Sequence, residues 1–278
     1  MKSQLSDNAP DRHPDPTYML GDFFTIKRGI ETGDNDFFLL DPRAILARDL
    51  PMEFMRPILP GPSHLIDQEI VADPEGYPIV EERLFLLDCP LPEQEIRRDY
   101  PTLWAYLEEG KERGVHQRYI SRHRSPWYLQ ERRPPAPFLC AYTGRGDRNG
   151  TAAEGAPFRF ILNNSRAIAP NVYLMMYPRP ALAERIGREY HERYMLWSAL
   201  NEIDVRAVRR RAVIYGDDAG GKLEPMELAS VPADLVVRLY PDLRPDSEAQ
   251  LPLFDEAPEH RSDDAADDIP DDLSRDAA

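Results

Sequence analysis

Apolar residues along the chain recur in short runs that alternate with polar loops containing glycine, asparagine and aspartate. Runs of this kind that contain β-branched and aromatic residues are typical of strands. The runs at residues 23–27 and 37–40 flank a loop at residues 29–35, and this arrangement predicts a β-hairpin. Further strands are predicted at residues 79–80, 83–87, 127–130, 137–142, 158–162 and 171–177.

Two longer segments have the apolar spacing of helices. In residues 101–113, Pro101 suits the first helical turn, and Leu103 and Leu107 belong to an apolar stripe. In residues 181–200, apolar and aromatic residues recur near helical spacing, which predicts a second long helix.

Shorter helices are predicted at residues 43–48 and 225–228, while the prolines within residues 52–70 predict mostly irregular backbone there. The chain has 28 prolines and 15 glycines, which favours many loops and interrupted strands. The predicted fold class is therefore α+β, with a mixed or antiparallel sheet core, a few helices and long loops.

Three segments of different composition divide the chain. Residues 1–17 are polar and are predicted to be a disordered leader, and residues 18–240 are predicted to form one folded domain. Residues 241–278 contain mainly Asp, Ala, Pro and Ser, which predicts a disordered acidic tail. A short apolar island at residues 251–254 interrupts this tail and is a candidate for docking on a partner.

Composition excludes several classes of protein. The chain has 278 residues, of which 42% are hydrophobic and 30% charged, a balance typical of a soluble protein with a packed core. No apolar run approaches the roughly 18 residues that a membrane span needs. The polar first 16 residues lack the apolar core of a signal peptide. Two cysteines, Cys89 and Cys140, favour neither a zinc site nor a disulfide framework, so a cytoplasmic location is expected.

The negative charge is concentrated at one end of the chain. The net charge is −15, and residues 241–278 carry 13 acidic residues against three arginines, so the first 240 residues carry only −5. Residues 113–148 contain eight arginines and two acidic residues, a net of +6, together with His116 and His123. Because phosphate contacts require Lys and Arg, this basic segment keeps a nucleic-acid partner open despite the overall charge.

The chain contains no motif of a known catalytic site. It has no glycine-rich dinucleotide motif, no phosphate-binding loop with its lysine, no metalloprotease histidine pair and no nucleophile elbow. Neighbouring acids such as Glu108 and Glu109 lie about 100° apart on a helix, which favours a solvated face over a catalytic dyad. The six histidines are scattered without ligand spacing. Catalysis by this chain alone is not expected.

Polar loops carry the candidate binding residues. In the first loop these are Lys27, Arg28, Thr32 and Asn35, although glycine and asparagine also suit an ordinary hairpin turn. In the segment 118–133 they are Arg122 and Arg124, because arginine binds phosphate or guanine and a neighbouring aromatic ring packs beside it. Here the alternative is that Trp127 and Tyr128 belong to the core and the arginines only solvate the surface.

Two later loops contribute further candidates. The flexible loop at residues 142–150 carries Arg145 and Arg148, and its glycines permit close approach to a ligand. The Gly-Gly-Lys turn before residue 225 contributes Lys222, because such a turn at a helix start places backbone N–H groups at a phosphate. Both loops are equally consistent with plain surface structure.

The order of these segments resembles the C-terminal specificity domain of TaqI-like adenine DNA methyltransferases. The resemblance covers residues 19–234, and no single motif in it is decisive. The matching motifs, in chain order, are GIETGDNDFF at 29–38, YP with YL at 100–107, RSPWY at 124–128, FILNNS and NVY at 160–173, LWSALN at 196–201, and GKLEPMEL with VP at 221–232.

The sequence departs from the family's pattern in two ways. Residues 217–219 interrupt the glycine run of the closing motif, which leaves open whether that loop binds as the family's does. The catalytic half, with its glycine-rich cofactor motif and its N-P-P-[YF] motif for the flipped adenine, is found nowhere between Met1 and Ala278.

The resemblance implies a specificity domain that lies against double-stranded DNA and supplies phosphate contacts and base recognition. A separate Rossmann-like methyltransferase domain or subunit would bind S-adenosylmethionine and flip the adenine. The expected partners are therefore DNA and that catalytic subunit, and the composition of the apolar island and acidic tail suggests the catalytic subunit or a cognate restriction nuclease as what they contact. No cofactor is expected in this chain. Trp127 and Tyr128 are expected to support the binding residues rather than to contact DNA.

Two other functions remain open from the sequence. The acidic charge suggests a DNA-mimicking interaction protein of a defence system, although a mimic needs carboxylates spaced along a folded surface rather than in a tail. The second alternative is a nuclease with an unrecognised site. The carboxylate and lysine pattern of common nuclease cores is not evident in the sequence.

Overall fold

The computed structural model describes residues 18–65, 67–141, 158–203, 213–214 and 221–245, and at 213–214 and 221–222 it describes the backbone alone. The strands in these ranges are β1 (Phe24–Arg28), β2 (Leu39–Leu40), β3 (Met55–Ile58), β4 (Glu69–Ile70), β5 (Leu84–Leu87), β6 (Phe138–Ala141), β7 (Arg159–Asn163), β8 (Tyr173–Pro178), β9 (Val213–Ile214) and β10 (Gly221–Lys222).

The helices lie mainly around two of these sheets. They are α1 (Leu20–Phe23), α2 (Asn35–Phe38), α3 (Pro42–Ala47), α4 (Glu93–Asp99), α5 (Pro101–Glu112), α6 (Tyr119–Arg122), α7 (Pro180–Ile186), α8 (Tyr190–Leu200), α9 (Pro225–Ala229) and α10 (Asp234–Leu239), with 3₁₀ turns at Met52–Phe54 and Val115–Gln117.

The largest sheet has five strands in the order β1-β8-β6-β7-β4. Neighbours in it are antiparallel except β4 and β7, which are parallel. A second sheet has the order β2-β5-β3 and is antiparallel, and β9 pairs with β10. This arrangement confirms the predicted α+β fold with a mixed sheet.

The large sheet is buried on both faces. In β6, Phe138 and Cys140 point into one core cluster, while Leu139 and Ala141 point into another. The first cluster includes helices α7 to α10, and the second is covered by the segment around Leu59. Strands buried on both faces are almost continuously apolar, which explains why their positions are recognisable in the sequence.

A third cluster belongs to the small sheet. Helix α5 packs Leu103 and Leu107 onto it, as the apolar stripe predicted. Gly110 does not end this helix but lies inside it, where a Cβ would come within 2.5 Å of the Phe37 ring. Gly114, with a φ of 74°, follows the helix and donates its N–H to the Lys111 carbonyl.

The predicted hairpin at residues 23–40 is wrong. Its first strand, β1, pairs with β8, and its second, β2, pairs with β5 in the other sheet. Phe37 lies in the single turn of α2 and stacks on Tyr106 with ring centroids 4.6 Å apart. The two runs therefore do not pair with each other, because β1 pairs with a distant strand and the Phe37 ring is buried against α5.

Three other predicted elements also differ. Residues 79–80 and 127–130 are not strands, and the helix predicted at 181–200 is divided into α7 and α8. Gly187, with a φ of 52°, ends α7, because such a conformation cannot continue a helix. The N–H of Gln130 donates to the carboxylate of Asp88 at 3.1 Å, so a side chain takes the place of a partner strand.

Residues 52–70 are more regular than their prolines predicted. Strand β3 contains Pro57 and lies at the edge of the small sheet, a position where a missing N–H removes no necessary ladder bond. The carbonyl of Pro57 still accepts from the N–H of Ile168 at 3.0 Å. The helices predicted at 43–48 and 225–228 are confirmed as α3 and α9. The predicted leader and tail fall mostly on residues outside the described ranges.

We predict that Gly29→Ala destabilises the protein. A Cβ at Gly29 would lie 2.0 Å from the carbonyl oxygen of Pro170, so backbone would have to move where β1 leaves the sheet. The expected loss of unfolding free energy is about 3 kcal/mol, measured by urea denaturation. Gly61→Ala is the matched control, because nothing lies within 4 Å of the added carbon. Equal midpoints for both variants would contradict the prediction.

Candidate nucleic-acid interface

The first loop and the segment 118–133, both predicted from sequence to carry binding residues, lie against each other. Arg124 connects them through two hydrogen bonds and makes a third within its own segment. One terminal nitrogen, Nη1, donates to the Thr32 carbonyl and to Oε1 of Gln130, each at 2.9 Å, and Nη2 donates to the Glu31 carbonyl at 2.6 Å. The planar guanidinium is suited to this task because its N–H groups diverge in a rigid fork.

Burial shifts the pKa of this arginine. Desolvation lowers the pKa of the Arg124 guanidinium, while the charges of Glu131, Glu31 and Asp88 oppose that shift. An arginine pKa starts so high that the group stays protonated at neutral pH. The structure thus gives Arg124 a structural role between the loops, and a DNA contact by this residue stays a prediction.

The first loop is internally ordered. Thr32 is 3% exposed, and its hydroxyl donates to Oδ1 of Asn35 at 2.6 Å and accepts from the N–H of Asp34. Asn35 is exposed at the start of α2. Of these two predicted binding residues, only Asn35 therefore presents its side chain at the surface, and Thr32 orients it.

Lys27 and Arg28 are the last two residues of β1, so their side chains point to opposite faces of the sheet. The Arg28 guanidinium forms an ion pair with Glu224, which precedes α9, and its carbonyl accepts from Arg133. Lys27 is exposed, and β1 places it opposite Met175 of β8. Arg133, the last residue of the segment 118–133, therefore connects that segment to β1.

Helix α6 presents cations and an aromatic ring to solvent. The guanidinium carbon of Arg122 lies 5.0 Å from the centroid of the Tyr119 ring, and Arg122 is exposed. The His123 ring is 4.5 Å from the same ring, and its Nδ1 lies 2.6 Å from the Tyr119 carbonyl. A cation held over an aromatic face keeps its charge available to a phosphate.

Asp34 of the first loop and Arg118, just before α6, form an ion pair between the two elements. Neither residue was among the predicted binding residues. The carboxylate of Asp34 is 1% exposed, and Nη2 of Arg118 approaches its Oδ2 at 3.1 Å. The Arg118 side chain is 53% exposed. In the sequence nothing distinguishes Asp34 from the exposed Asp36 two residues later, because their burial depends on how α6 packs.

A second arginine, Arg56, fixes the last residues of the segment 118–133. Arg56 donates to the buried carboxylate of Asp88 at 3.1 Å, and to the carbonyls of Glu131 and Arg133. Asp88 also accepts from the N–H of Gln130. Residues 130–133 are thereby fixed on the small sheet although they form no strand.

The aromatic residues of the segment are supports, as predicted. Tyr128 is fully buried and donates its hydroxyl hydrogen to the Leu91 carbonyl at 2.6 Å. Burial raises the pKa of this phenol above its usual range. Trp127 packs on Phe37 and Phe38 in the core of the small sheet. Neither ring belongs to the exposed surface of α6.

Three predicted binding residues remain without a described side chain. Arg145 and Arg148 lie outside the described residues, and at Lys222 only the backbone of β10 is described. Within the described ranges there is no group of three or more His, Cys, Asp or Glu side chains arranged to hold a metal ion. In those same ranges no helix has the length and apolar character needed to cross a membrane.

Comparison with known proteins assigns this arrangement to a family. Residues 12–203 match the family model described as the C-terminal domain of the type II methyltransferase M.Eco57I. The chain belongs to this family. Membership confirms the resemblance to the C-terminal domain of a DNA methyltransferase of that type, and the matched range contains the first loop, α6 and the basic segment.

One solved structure with a partly similar fold is titled "Structure of Type IIL restriction-modification enzyme MmeI in complex with DNA has implications for engineering of new specificities". The alignment has 12% identity and a TM-score of 0.38, and covers 83% of this chain and 34% of that chain. The present chain thus spans about a third of the length of that protein. A similarity at this level carries no argument about function.

We predict that Arg124→Ala lowers the unfolding free energy by about 2–3 kcal/mol, because two loop carbonyls and the buried Gln130 amide oxygen lose a charged donor. Arg124→Lys should recover little of this loss, since an ammonium cannot reproduce the fork. Arg122→Ala is the control and should change stability by no more than about 0.5 kcal/mol. Thermal or urea unfolding measures all three. A destabilisation by Arg122→Ala as large as that by Arg124→Ala would contradict the assignment.

Proposed function

We propose that this chain recognises double-stranded DNA as the specificity part of an adenine-specific DNA methyltransferase. The observation that carries the proposal is the surface built from the first loop and α6, in which Arg124 joins two segments distant in sequence. A joined surface of this kind presents several side chains in a fixed relation to one another, as recognition of a base sequence requires.

The charge of the surface supports the same conclusion. Arg118 just before α6 and Arg122 at its end are exposed, as are Asn35 at the start of α2 and Lys27 on β1. The net charge of −15 does not oppose this, because 13 of the acidic residues lie after residue 240. Cations at the surface bind phosphate and fix the register on the duplex, and polar side chains at base edges supply specificity.

The methyl transfer itself belongs to a different part of the system in this proposal. A catalytic methyltransferase domain or subunit binds S-adenosylmethionine and flips the target adenine. The present chain contributes none of the reacting groups, and its residues orient the duplex so that one adenine reaches that active site. The activity of a complete restriction-modification enzyme, including a nuclease, requires these further partners.

We predict salt-dependent binding of duplex DNA by the full chain. Removal of one phosphate-binding cation should reduce the slope of log K against log salt by about 1, so Arg122→Ala and Lys27→Ala should each flatten the slope by roughly that amount. Fluorescence anisotropy at several salt concentrations measures this. Arg238→Ala is the control, because Arg238 is exposed on α10, which packs on α8. Absence of salt-dependent binding by the unaltered chain would overturn the proposal.

We also predict sequence-specific adenine methylation when the full chain is co-expressed with the adjacent reading frame, in which the catalytic part is expected. Mapping of N6-methyladenine across the host genome should show one recurring sequence, and that sequence should be lost when the present chain is omitted. Arg122→Ala should reduce the methylated fraction at every site without changing the sequence, because a phosphate contact is the same at each site. Methylation that is unchanged without this chain would contradict the adenine-specific role.

A further inference from the structure

Arg118 differs from the other exposed arginine of α6 in having a buried carboxylate beside it. Its Nη2 lies 3.1 Å from Oδ2 of Asp34, while Arg122 rests on the Tyr119 ring. The two partners of the Asp34–Arg118 pair differ in exposure, at 1% for the aspartate side chain and 53% for the arginine. The pair thus anchors an exposed cation to the interior.

The environment of Asp34 is unusual for a buried charge. Neither carboxylate oxygen accepts a hydrogen bond from the described residues, and the neighbouring hydroxyl of Ser121 is also buried without one. Among the described side chains, Arg118 is the one cation within 4 Å of this carboxylate. A buried carboxylate with so little compensation costs stability. The pair therefore adds little to stability, and what it does provide is a fixed position for the Arg118 side chain.

Asp34 is also fixed in place. The preceding Gly33 has a φ of 88°, and a Cβ there would lie 3.0 Å from Ile120 of α6, so the loop and the helix are in close contact. Arg124 holds the two residues before Gly33, Glu31 and Thr32, by their carbonyls. The carboxylate therefore has a defined position relative to the start of α6, where Arg118 is the residue before the first helical turn.

A guanidinium has five N–H donors, and the closest approach of Asp34 is to one terminal nitrogen, Nη2. The other donors belong to a side chain that is about half exposed, so they are accessible to a ligand. An arginine held in this way loses less conformational entropy on binding, and two parallel donors match O6 and N7 of guanine in the major groove. A mobile arginine is sufficient for a phosphate, because phosphate contacts carry no sequence information.

From this geometry we infer that Arg118 recognises a guanine base in the target sequence and that the buried Asp34 is its positioning residue. The inference rests on the proposed function and goes beyond it, because it assigns base recognition to one side chain. Arg122, three residues after Tyr119 on the same exposed helix, serves as a phosphate contact in the same surface. The sequence specificity and the affinity of the surface are thus divided between two arginines of one short helix.

The test is selection of bound duplexes from a pool with a randomised central segment, using the purified full chain, followed by sequencing. The unaltered chain should enrich one sequence that contains at least one strongly preferred guanine. Arg118→Ala should lower the preference at one such guanine about tenfold or more and leave the other positions as they were. Arg122→Ala, the matched control, should lower the affinity for all duplexes and enrich the same sequence.

Asp34→Asn tests the positioning role, because it removes the charge and keeps the shape. It should weaken the preference at the same guanine, and it should have no further effect on that preference in a chain that already carries Arg118→Ala. This dependence separates positioning from general stability, since a general loss of folding would lower binding to every sequence. Arg118→Ala remains a sufficient test if Asp34→Asn does not fold.

The outcomes separate the inference from the proposed function. If the unaltered chain binds DNA and enriches no sequence, the proposed specificity is overturned and the inference with it. If it enriches a sequence that Arg118→Ala enriches with the same preference at every position, the inference is overturned while the proposed function stands. In that case Arg118 serves only to neutralise Asp34. Loss of preference at a single guanine supports both.

Discussion

Arg124 lies between two segments of the chain that are 92 residues apart in sequence, and its guanidinium makes the contacts that hold them together. Two of its acceptors are backbone carbonyls of the first loop, so these two contacts do not depend on which side chains residues 31 and 32 carry. Variation of exposed residues at this surface is therefore compatible with an unchanged framework. Such a separation suits the proposed function, because exposed side chains at base edges can differ while the framework stays the same.

Side-chain donors also hold backbone carbonyls at the end of the segment 118–133. Arg56 donates to the carbonyls of Glu131 and Arg133, and the buried carboxylate of Asp88 accepts from both Arg56 and the Gln130 backbone. Side chains here perform the task that a partner strand performs in a sheet. Buried charges are costly unless their hydrogen bonds are satisfied, and at Asp88 and Arg124 they are largely satisfied. Asp34 is the exception among these groups.

Those elements that the sequence predicted well are the ones determined by local pattern. Strands β6 to β8 are buried on both faces, so their apolar runs are unmistakable, and α5 combines an N-terminal proline with an apolar stripe. The hairpin failed because β1 pairs with β8, which lies far along the chain, and no local signal reports such a pairing. Residues 127–130 have strand composition because Tyr128 is a core residue, and yet their hydrogen bonds go to side chains.

The binding residues show the same limit at the level of single side chains. Arg122 and Arg124 are two positions apart in one basic run, and in sequence they are equivalent candidates. Packing against the first loop makes one of them a buried link and leaves the other exposed on a tyrosine ring. Asp34 and Asp36 separate in the same way, since only Asp34 turns toward α6. Composition thus locates a set of candidate binding residues, whereas tertiary contacts decide which of their charges are exposed and which hold the loops in place.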